Sequence, residues 1–541
     1  MNNGVTHFLF EHASIKPVSF HMPGHKGARF YKHHGYGKFM RNVANYDITE
    51  IAGADNLFQT EGIIKTTAEK YADLYEVEKS YLLVNGTSGG IIASILATVP
   101  KGGKLIMARN CHKSVFNALT LGDIQPVYAF PTEVKEYGIS GAVQPEEVER
   151  LLEENPEAKA VILPSPNYYG ICSDIKGIAK VCHRHDAVLI VDQAHGAHLK
   201  FFSKYGVKNM PKSAEESGAD LIINSVHKTL ASLTQSAVLN VNSDRVDLAV
   251  LEDKLQAIES TSPSYLLMAS LDINADIIKD RGPVLFKLWN RNVRWFYKKA
   301  AGIPMLKVMT LDGDKKQSRI SKFLKKTEES DYKPGELDPT KINLDMGAFS
   351  INGARLEEML IEYGIYPELS TGNILMCMSG IGNRKRDFKK LYDALAYIAY
   401  SNRENLIKLS RPDELPAPEE PMQLEAGEVP EDEGAWGKDA ANEGAWGKDH
   451  PEADVGEATG ASIWSKKRKL TAVPQDKVWT DIDFCEGRIC ASSIIPYPPG
   501  IPLVCPGEKL DYDDIEYIKR LRNRGHKVIG INEHNEICVG R

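Results

Sequence analysis

At 541 residues the chain is too long for one ordinary core, so two or three domains are expected. A hydrophobic fraction of 42% beside 26% charged residues is that of a water-soluble globular protein. The net charge of −7 argues against a nucleic-acid partner, which needs a basic surface, and no apolar run nears the roughly 20 residues that span a bilayer. The best candidate, Ile91 to Val99, is far too short. The N-terminus lacks a basic segment followed by an apolar run, so no signal peptide is expected. Eight scattered cysteines suit a reducing cytoplasm. Cys182-His183-Arg184-His185 lacks the second cluster that a zinc site needs, so no metal is expected.

Residues 1 to 60 read as an irregular segment, with Pro23-Gly24-His25-Lys26-Gly27 as a loop signal. Phe20 to Gly27 is dense in groups that could line a site, and Asp47, Glu50 and Asp55 are carboxylates that could attract a cation. From 61 to 300, amphipathic helices alternate with short apolar strands, which predicts a doubly wound, mostly parallel sheet. Thr66 to Tyr75 reads as a helix, Ser80 to Val84 as a strand and Gly89 to Thr98 as a helix. Between the last two lies Asn85-Gly86-Thr87-Ser88-Gly89-Gly90. A strand, a glycine-rich turn and a helix create an anion site, because free amides and the positive helix end converge there. The turn lacks the lysine of a nucleotide-binding loop, which favours a single phosphate.

A strand at Lys104 to Ala108 leads to His112, just past the strand end where ligands of open α/β sheets collect. A flat imidazole there could stack on an aromatic cofactor. Ala160 to Leu163 is a further strand, ending in the aromatic loop Pro164 to Gly170. The strand Ala187 to Val191 delivers Asp192, a carboxylate that needs a cationic partner such as a protonated pyridine nitrogen. The strand Leu221 to Ile223 delivers Ser225-Val226-His227-Lys228-Thr229. A lysine at a buried strand end loses hydration and shifts towards the neutral amine that attacks aldehydes, as a Schiff base to pyridoxal phosphate requires. Anion turn, stacking histidine, strand-end aspartate and strand-end lysine, in that order, point jointly to a pyridoxal phosphate site.

With these motifs the sequence resembles the Orn/Lys/Arg decarboxylases of pyridoxal phosphate fold type I, in their short form, and is closest in pattern to bacterial arginine decarboxylases. The matching segments are Phe20 to Gly27, Asp47 to Glu50, Asn85 to Gly90, Asp192 to His198, Ser225 to Gln235, Thr261 to Leu267, Ala269 to Asp272 and Pro496 to Glu508. The resemblance implies a fold type I large domain, a smaller α/β C-terminal domain, and decarboxylation of a basic amino acid. Arginine to agmatine is preferred, with lysine and ornithine as alternatives and an aminotransferase or lyase of the same fold as a further one.

By resemblance Lys228 carries the cofactor, with Ser225 and His227 near its phosphate and the reacting carbon. Gly86, Thr87, Ser88 and Gly89 hold the phosphate; His112 stacks on the ring; Asp192 pairs with its nitrogen; and Ala194 and His195 also touch the cofactor. Thr261 and Ser262 serve the neighbouring subunit of a homodimer or larger homo-oligomer with shared sites. Glu508, with Asp55 and Asp47, contacts the substrate's cationic end. Lys228, His227, Asp192 and His112 are the implied catalytic set, acting in polyamine biosynthesis. Gln193 stands where many relatives carry glutamate and Asn56 where a second aspartate is common, both near substrate-recognition positions.

Residues 301 to 410 contain a smaller mixed pattern: strands at Ile342 to Phe349 and Ile374 to Met378, helices at Gly353 to Tyr363 and Arg384 to Ser401. Residues 411 to 480 are acidic and carry Glu433-Gly434-Ala435-Trp436-Gly437-Lys438-Asp439, repeated from Glu443 to Asp449. Such a composition buries too little apolar surface to offset ordering entropy, and a flexible insertion is expected; docking through Trp436 and Trp446 is the alternative. Residues 481 to 541 are expected to return to the site and to include a helix from Tyr512 to Arg522.

Overall fold

The computed structural model describes residues 4–310, 336–402, 471, 473–497, 500–523 and 527–541. The tryptophan repeat, the basic run from Lys466 to Lys469 and most of the acidic segment lie outside the described residues.

Seven strands carry the molecule: β1 Lys79–Leu83, β2 Lys104–Ala108, β3 Gln125–Ala129, β4 Ala160–Pro164, β5 Val188–Asp192, β6 Leu221–Asn224 and β7 Ala237–Val241. They form one sheet in the order β1-β7-β6-β5-β4-β2-β3, with only β7 antiparallel to its neighbours. Most strand residues are apolar and fully buried, as expected when helices cover both faces. Because β1 to β6 run the same way, their C-terminal ends share one edge. Register places Asp192 opposite Pro164 on one side and Ile223 on the other, so the carboxylate emerges between two strand ends.

The smaller sheet is built from β8 Lys307–Val308, β9 Lys341–Asp345, β10 Leu369–Thr371 and β11 Ile374–Met378, in the order β8-β9-β11-β10. It is antiparallel throughout. Helices Gly353–Glu362 and Lys385–Ser401 complete this part. The strand expected to run to Phe349 stops at Asp345, whose Oδ1 accepts a hydrogen bond from the Gly347 N–H and turns the chain into a short 3-10 helix.

The N-terminal stretch departs from the irregular reading. It opens with a helix, Val5–Ser14, followed by short helices at Ala28–His33 and Gly37–Arg41. The first is ten residues long and has no buried residue. Val18–Ser19 then pairs in parallel with Ile365–Tyr366, and Gly24 is clamped between the two halves. Its N–H donates to the His227 carbonyl, and its own carbonyl accepts from Gly382. A Cβ on Gly24 would lie 2.3 Å from the Leu230 carbonyl oxygen, so only glycine fits this crossing.

The C-terminal stretch pairs Lys477–Asp481 with Glu536–Gly540 and Ile495–Tyr497 with Lys527–Ile529, around a helix at Tyr512–Asn523. Its own small core includes Ile482, Ile494, Leu503, Leu510, Ile518 and Val539. No helix among the described residues is long and apolar enough to cross a membrane.

Candidate active site

A cavity at the C-terminal edge of the large sheet is lined by residues from five strand ends. They include Thr87 after β1, Asn110 and His112 after β2, Tyr168 after β4, Asp192 and His195 at β5, and Lys228 after β6. Lys228 Nζ lies 2.9 Å from His195 Nε2 and 5.7 Å from the centre of the Tyr168 ring, which itself packs on His195. Burial lowers the Lys228 pKa, partly opposed by the nearby Asp192 charge, so the amine is easier to deprotonate than an ordinary lysine. Asp192 shifts the other way. Burial raises it, against Lys228 and the Ala194 amide that donates to Oδ1 at 3.1 Å.

His112 caps the helix Lys113–Gly122; its Nδ1 accepts from the Ser114 N–H at 3.3 Å. Burial, then the charges of Lys228 and Lys113, push its pKa down to about 3, so the ring in the cavity wall is neutral. On the opposite side the turn after β1 opens the helix Gly86–Thr98. Gly86 has φ +68°, a backbone region that favours glycine, and Thr87 Oγ1 and Ser225 Oγ meet at 3.1 Å. Free amides of this first helical turn and two hydroxyls thus face one spot.

A phosphorylated pyridine aldehyde fits this donor set: an amine for the aldehyde, a buried carboxylate for the ring nitrogen and a neutral imidazole for the ring face. Two further observations agree. Asn110 Oδ1 and His195 Nδ1 are buried, have no hydrogen-bond partner, and belong to residues that line the same cavity.

Other expected residues fall elsewhere. His227 turns away: its Nδ1 donates to the Ser236 carbonyl at 2.8 Å, and burial pushes its pKa down to about 4. Phe20 to Gly27 packs behind Lys228 rather than lining the cavity. Asp55 is a helix cap. It accepts from the amides of Glu61, Gly62, Ile64 and Lys65 at the start of the helix Ile63–Tyr75. Asn56 accepts from Phe58 and Gln59 in the adjoining turn, and Asp47 is exposed. Gln193 points to the opposite side from Asp192, as alternation along a strand requires, and bonds Glu215 and Asn224 in a buried polar network. Thr261 and Ser262 are exposed and outside this chain's own cavity.

Glu508 is fully buried and bonds Arg109 at 2.9 Å; the same guanidinium donates to the carbonyls of Pro502 and Leu503. The cation beside Glu508 is therefore supplied by the protein itself. Removing one partner of a buried pair strands the other charge, at about 3–5 kcal/mol. Glu508→Ala is expected to lower the unfolding free energy by about that amount in denaturant titration. A raised KM with unchanged stability would return Glu508 to substrate binding.

Sequence reasoning missed three supports. Lys341, on β9, donates to the His195 carbonyl at 2.8 Å and to Asp338 at 3.2 Å, and Asp338 also pairs with His198 at 3.0 Å. All three side chains are completely buried. Burial acts to raise the Asp338 carboxyl, but Lys341 and His198 outweigh it and hold the group well below the usual range. The smaller sheet thereby grips the loop that presents His195 to Lys228.

The model of the major domain of Orn/Lys/Arg decarboxylase matches residues 4–387, and that of the family's C-terminal domain matches residues 468–536. The arginine decarboxylase of Bacillus subtilis is 29% identical over 534 residues, spanning 96% of this chain and 94% of that protein. The inducible lysine decarboxylase of Escherichia coli is 24% identical over 573 residues, covering 96% and 77% of the two chains. Among solved structures, the constitutive lysine decarboxylase of Escherichia coli superposes with a TM-score of 0.67 at 19% identity, covering 99% of this chain and 81% of that one. The fold is therefore that of the type I enzymes. The chain belongs to the Orn/Lys/Arg decarboxylase family, and is a pyridoxal-phosphate-dependent decarboxylase of a basic amino acid.

Proposed function

We propose that the substrate is arginine and the product agmatine. Support comes from the near end-to-end match with the arginine decarboxylases of Bacillus subtilis, Bacillus anthracis and Halalkalibacterium halodurans, at 27–29% identity against 24% for the inducible lysine enzyme of Escherichia coli. The product would feed polyamine synthesis, and the cytoplasm is the compartment in which the eight cysteines stay reduced.

The observation that carries the site reading is the Lys228–His195 contact in a strand-end cavity that also holds Asp192. Bound pyridoxal phosphate supplies a cationic ring able to take up the electron pair left when the substrate's carboxylate departs as carbon dioxide. Asp192 keeps the ring nitrogen protonated, because a buried carboxylate is stable only beside a cation. His112 offers a flat, uncharged surface to one face of the ring. Gly86 to Gly89, with Thr87, Ser88 and Ser225, present amides and hydroxyls to the phosphate.

Lys228 would hold the cofactor through its amine. Its Nζ is also placed to donate a proton to the substrate's α-carbon, which its lowered pKa makes easier to release. His195, neutral by burial and by the charge of Lys228, fixes the direction of that amine. Thr261 and Ser262, exposed on this chain, serve the partner subunit of a homodimer, or of a larger homo-oligomer.

The test is to supply purified protein and pyridoxal phosphate with arginine, lysine or ornithine separately, measuring carbon dioxide and the mass of the amine. Agmatine from arginine is expected. Cadaverine or putrescine as the main product would overturn the substrate, and no gas from any of the three would overturn the residue roles.

A further inference from the structure

Glu259 lies outside the cavity lining but against the turn that holds the phosphate. It ends the helix Leu248–Ile258, and its Oε2 accepts from the backbone amides of Val84 at 3.0 Å and Asn85 at 2.9 Å. Those are the two amides just before Gly86. Asn85 answers by donating its side-chain amide to the Ile258 carbonyl at 2.9 Å, so helix end and turn are stapled together. The other oxygen, Oε1, is buried and has no hydrogen-bond partner. A Cβ on Gly89 would sit 2.5 Å from it, which places the carboxyl against the first turn of the helix Gly86–Thr98. The residue as a whole is 6% exposed.

Among the described residues no cation faces this carboxyl. The helix Gly86–Thr98, strand β7 and the segment Ser260 to Ser264 carry no charged side chain. On β1, Lys79 and Tyr81 bond Glu252, about two helical turns back. Asp253 and Lys254 on the same helix pair with each other, and Tyr265 donates to the Asp55 carbonyl. What remains for Glu259 is the positive end of one helix and two amides, and a bound phosphate would draw on the same positive end. Burial already pushes its pKa up to about 7, against the amides of Val84 and Asn85.

We propose that Glu259 is a positioning residue whose carboxyl group takes up a proton when a phosphate monoester binds the Gly86 turn, so that cofactor affinity falls as pH rises. This rests on the reading of that turn as the phosphate site. The sign follows from linkage. Two anions at one helix end repel, so the phosphate binds the protonated carboxyl more tightly. Above the pKa of the unliganded form, binding must draw a proton from solution, and affinity falls with pH until the pKa of the bound form is reached. Oε1, unbonded, can take the proton with no hydrogen bond lost.

The experiment compares dissociation constants of pyridoxal phosphate and pyridoxal, read by absorbance, at pH 6.5 and 8.5. Both aldehydes report the titration of Lys228 equally, so their affinity ratio isolates the phosphate. In the wild-type protein this ratio is expected to fall about tenfold between the two pH values relative to Glu259→Gln, which keeps an acceptor oxygen for the two amides but carries no charge. The phosphate's own ionisation affects both proteins alike. Identical pH dependence in the two would overturn the proposal. Calorimetry of the wild-type protein at pH 8, in buffers of different ionisation enthalpy, tests it without any variant. Proton uptake with pyridoxal phosphate in excess of that with pyridoxal supports it, and equal uptake overturns it. Equal affinity for the two aldehydes at every pH would show that the turn holds no phosphate, and would overturn the underlying reading as well.

Discussion

Lys228→Ala is expected to lower decarboxylation by at least about ten-thousandfold and to abolish the visible absorbance of the cofactor-bound protein. The size of the loss follows from how the two buried lysines nearest the site are held. Lys26 sits behind the site with Nζ bonded to the His21 and Met378 carbonyls, and Lys341 is fixed between Asp338 and the His195 carbonyl. Neither amine is free to swing into the cavity. The fold should survive, because among the described residues the contacts of Lys228 Nζ are with His195 and the Tyr168 ring face, and neither spans the core. Circular dichroism together with turnover and the absorbance band decides it. Retained turnover and retained absorbance in a folded variant would remove Lys228 from the mechanism.

The parts of the site legible from sequence were those fixed by a local rule. Strands β2 and β11 run from Lys104 to Ala108 and from Ile374 to Met378, where an apolar run bounded by polar residues defines the element. Asp192, His112 and Lys228 follow strand ends, and the parallel topology carries every such position to one edge. What sequence left obscure depends on partners. A carboxylate that caps a helix and one that binds a ligand look alike in a string of letters, and Asp55 proves to be a cap because the amides of Glu61, Gly62, Ile64 and Lys65 reach it. Glu508 and Arg109 are 399 residues apart, and only packing of the C-terminal stretch on the large domain brings them together. Gln193 could have been read better. It follows Asp192 on the same strand end, so the two side chains had to leave on opposite sides. His227 adjoins Lys228 in a helical turn, and its direction was set by the Ser236 carbonyl, which no motif announces.

Asp192→Ala separates a structural from a functional reading of the second key residue. As a structural group this carboxylate is a poor one. It is 7% exposed, its Oδ1 accepts from the amide of Ala194, and burial raises its pKa. A carboxyl in that state contributes little to the stability of the cofactor-free protein, and its removal is expected to leave the melting temperature unchanged or slightly higher. The cost should appear in catalysis instead. Without a carboxylate beside the ring nitrogen, that nitrogen loses its proton and the ring loses most of its capacity to hold electrons, which is worth about a thousandfold in kcat, or about 4 kcal/mol. Binding of the cofactor through Lys228 and the Gly86 turn should weaken far less, since neither contact involves Asp192. Asp192→Asn preserves the shape and the bond to Ala194 but cannot stabilise a positive ring, so it should be nearly as inactive as the alanine variant. If asparagine restored the rate, shape rather than charge would be the contribution of Asp192, and an unimpaired alanine variant would refute the electron-sink role altogether. Melting temperature of the cofactor-free protein, cofactor affinity and kcat, measured on the three proteins together, distinguish these outcomes.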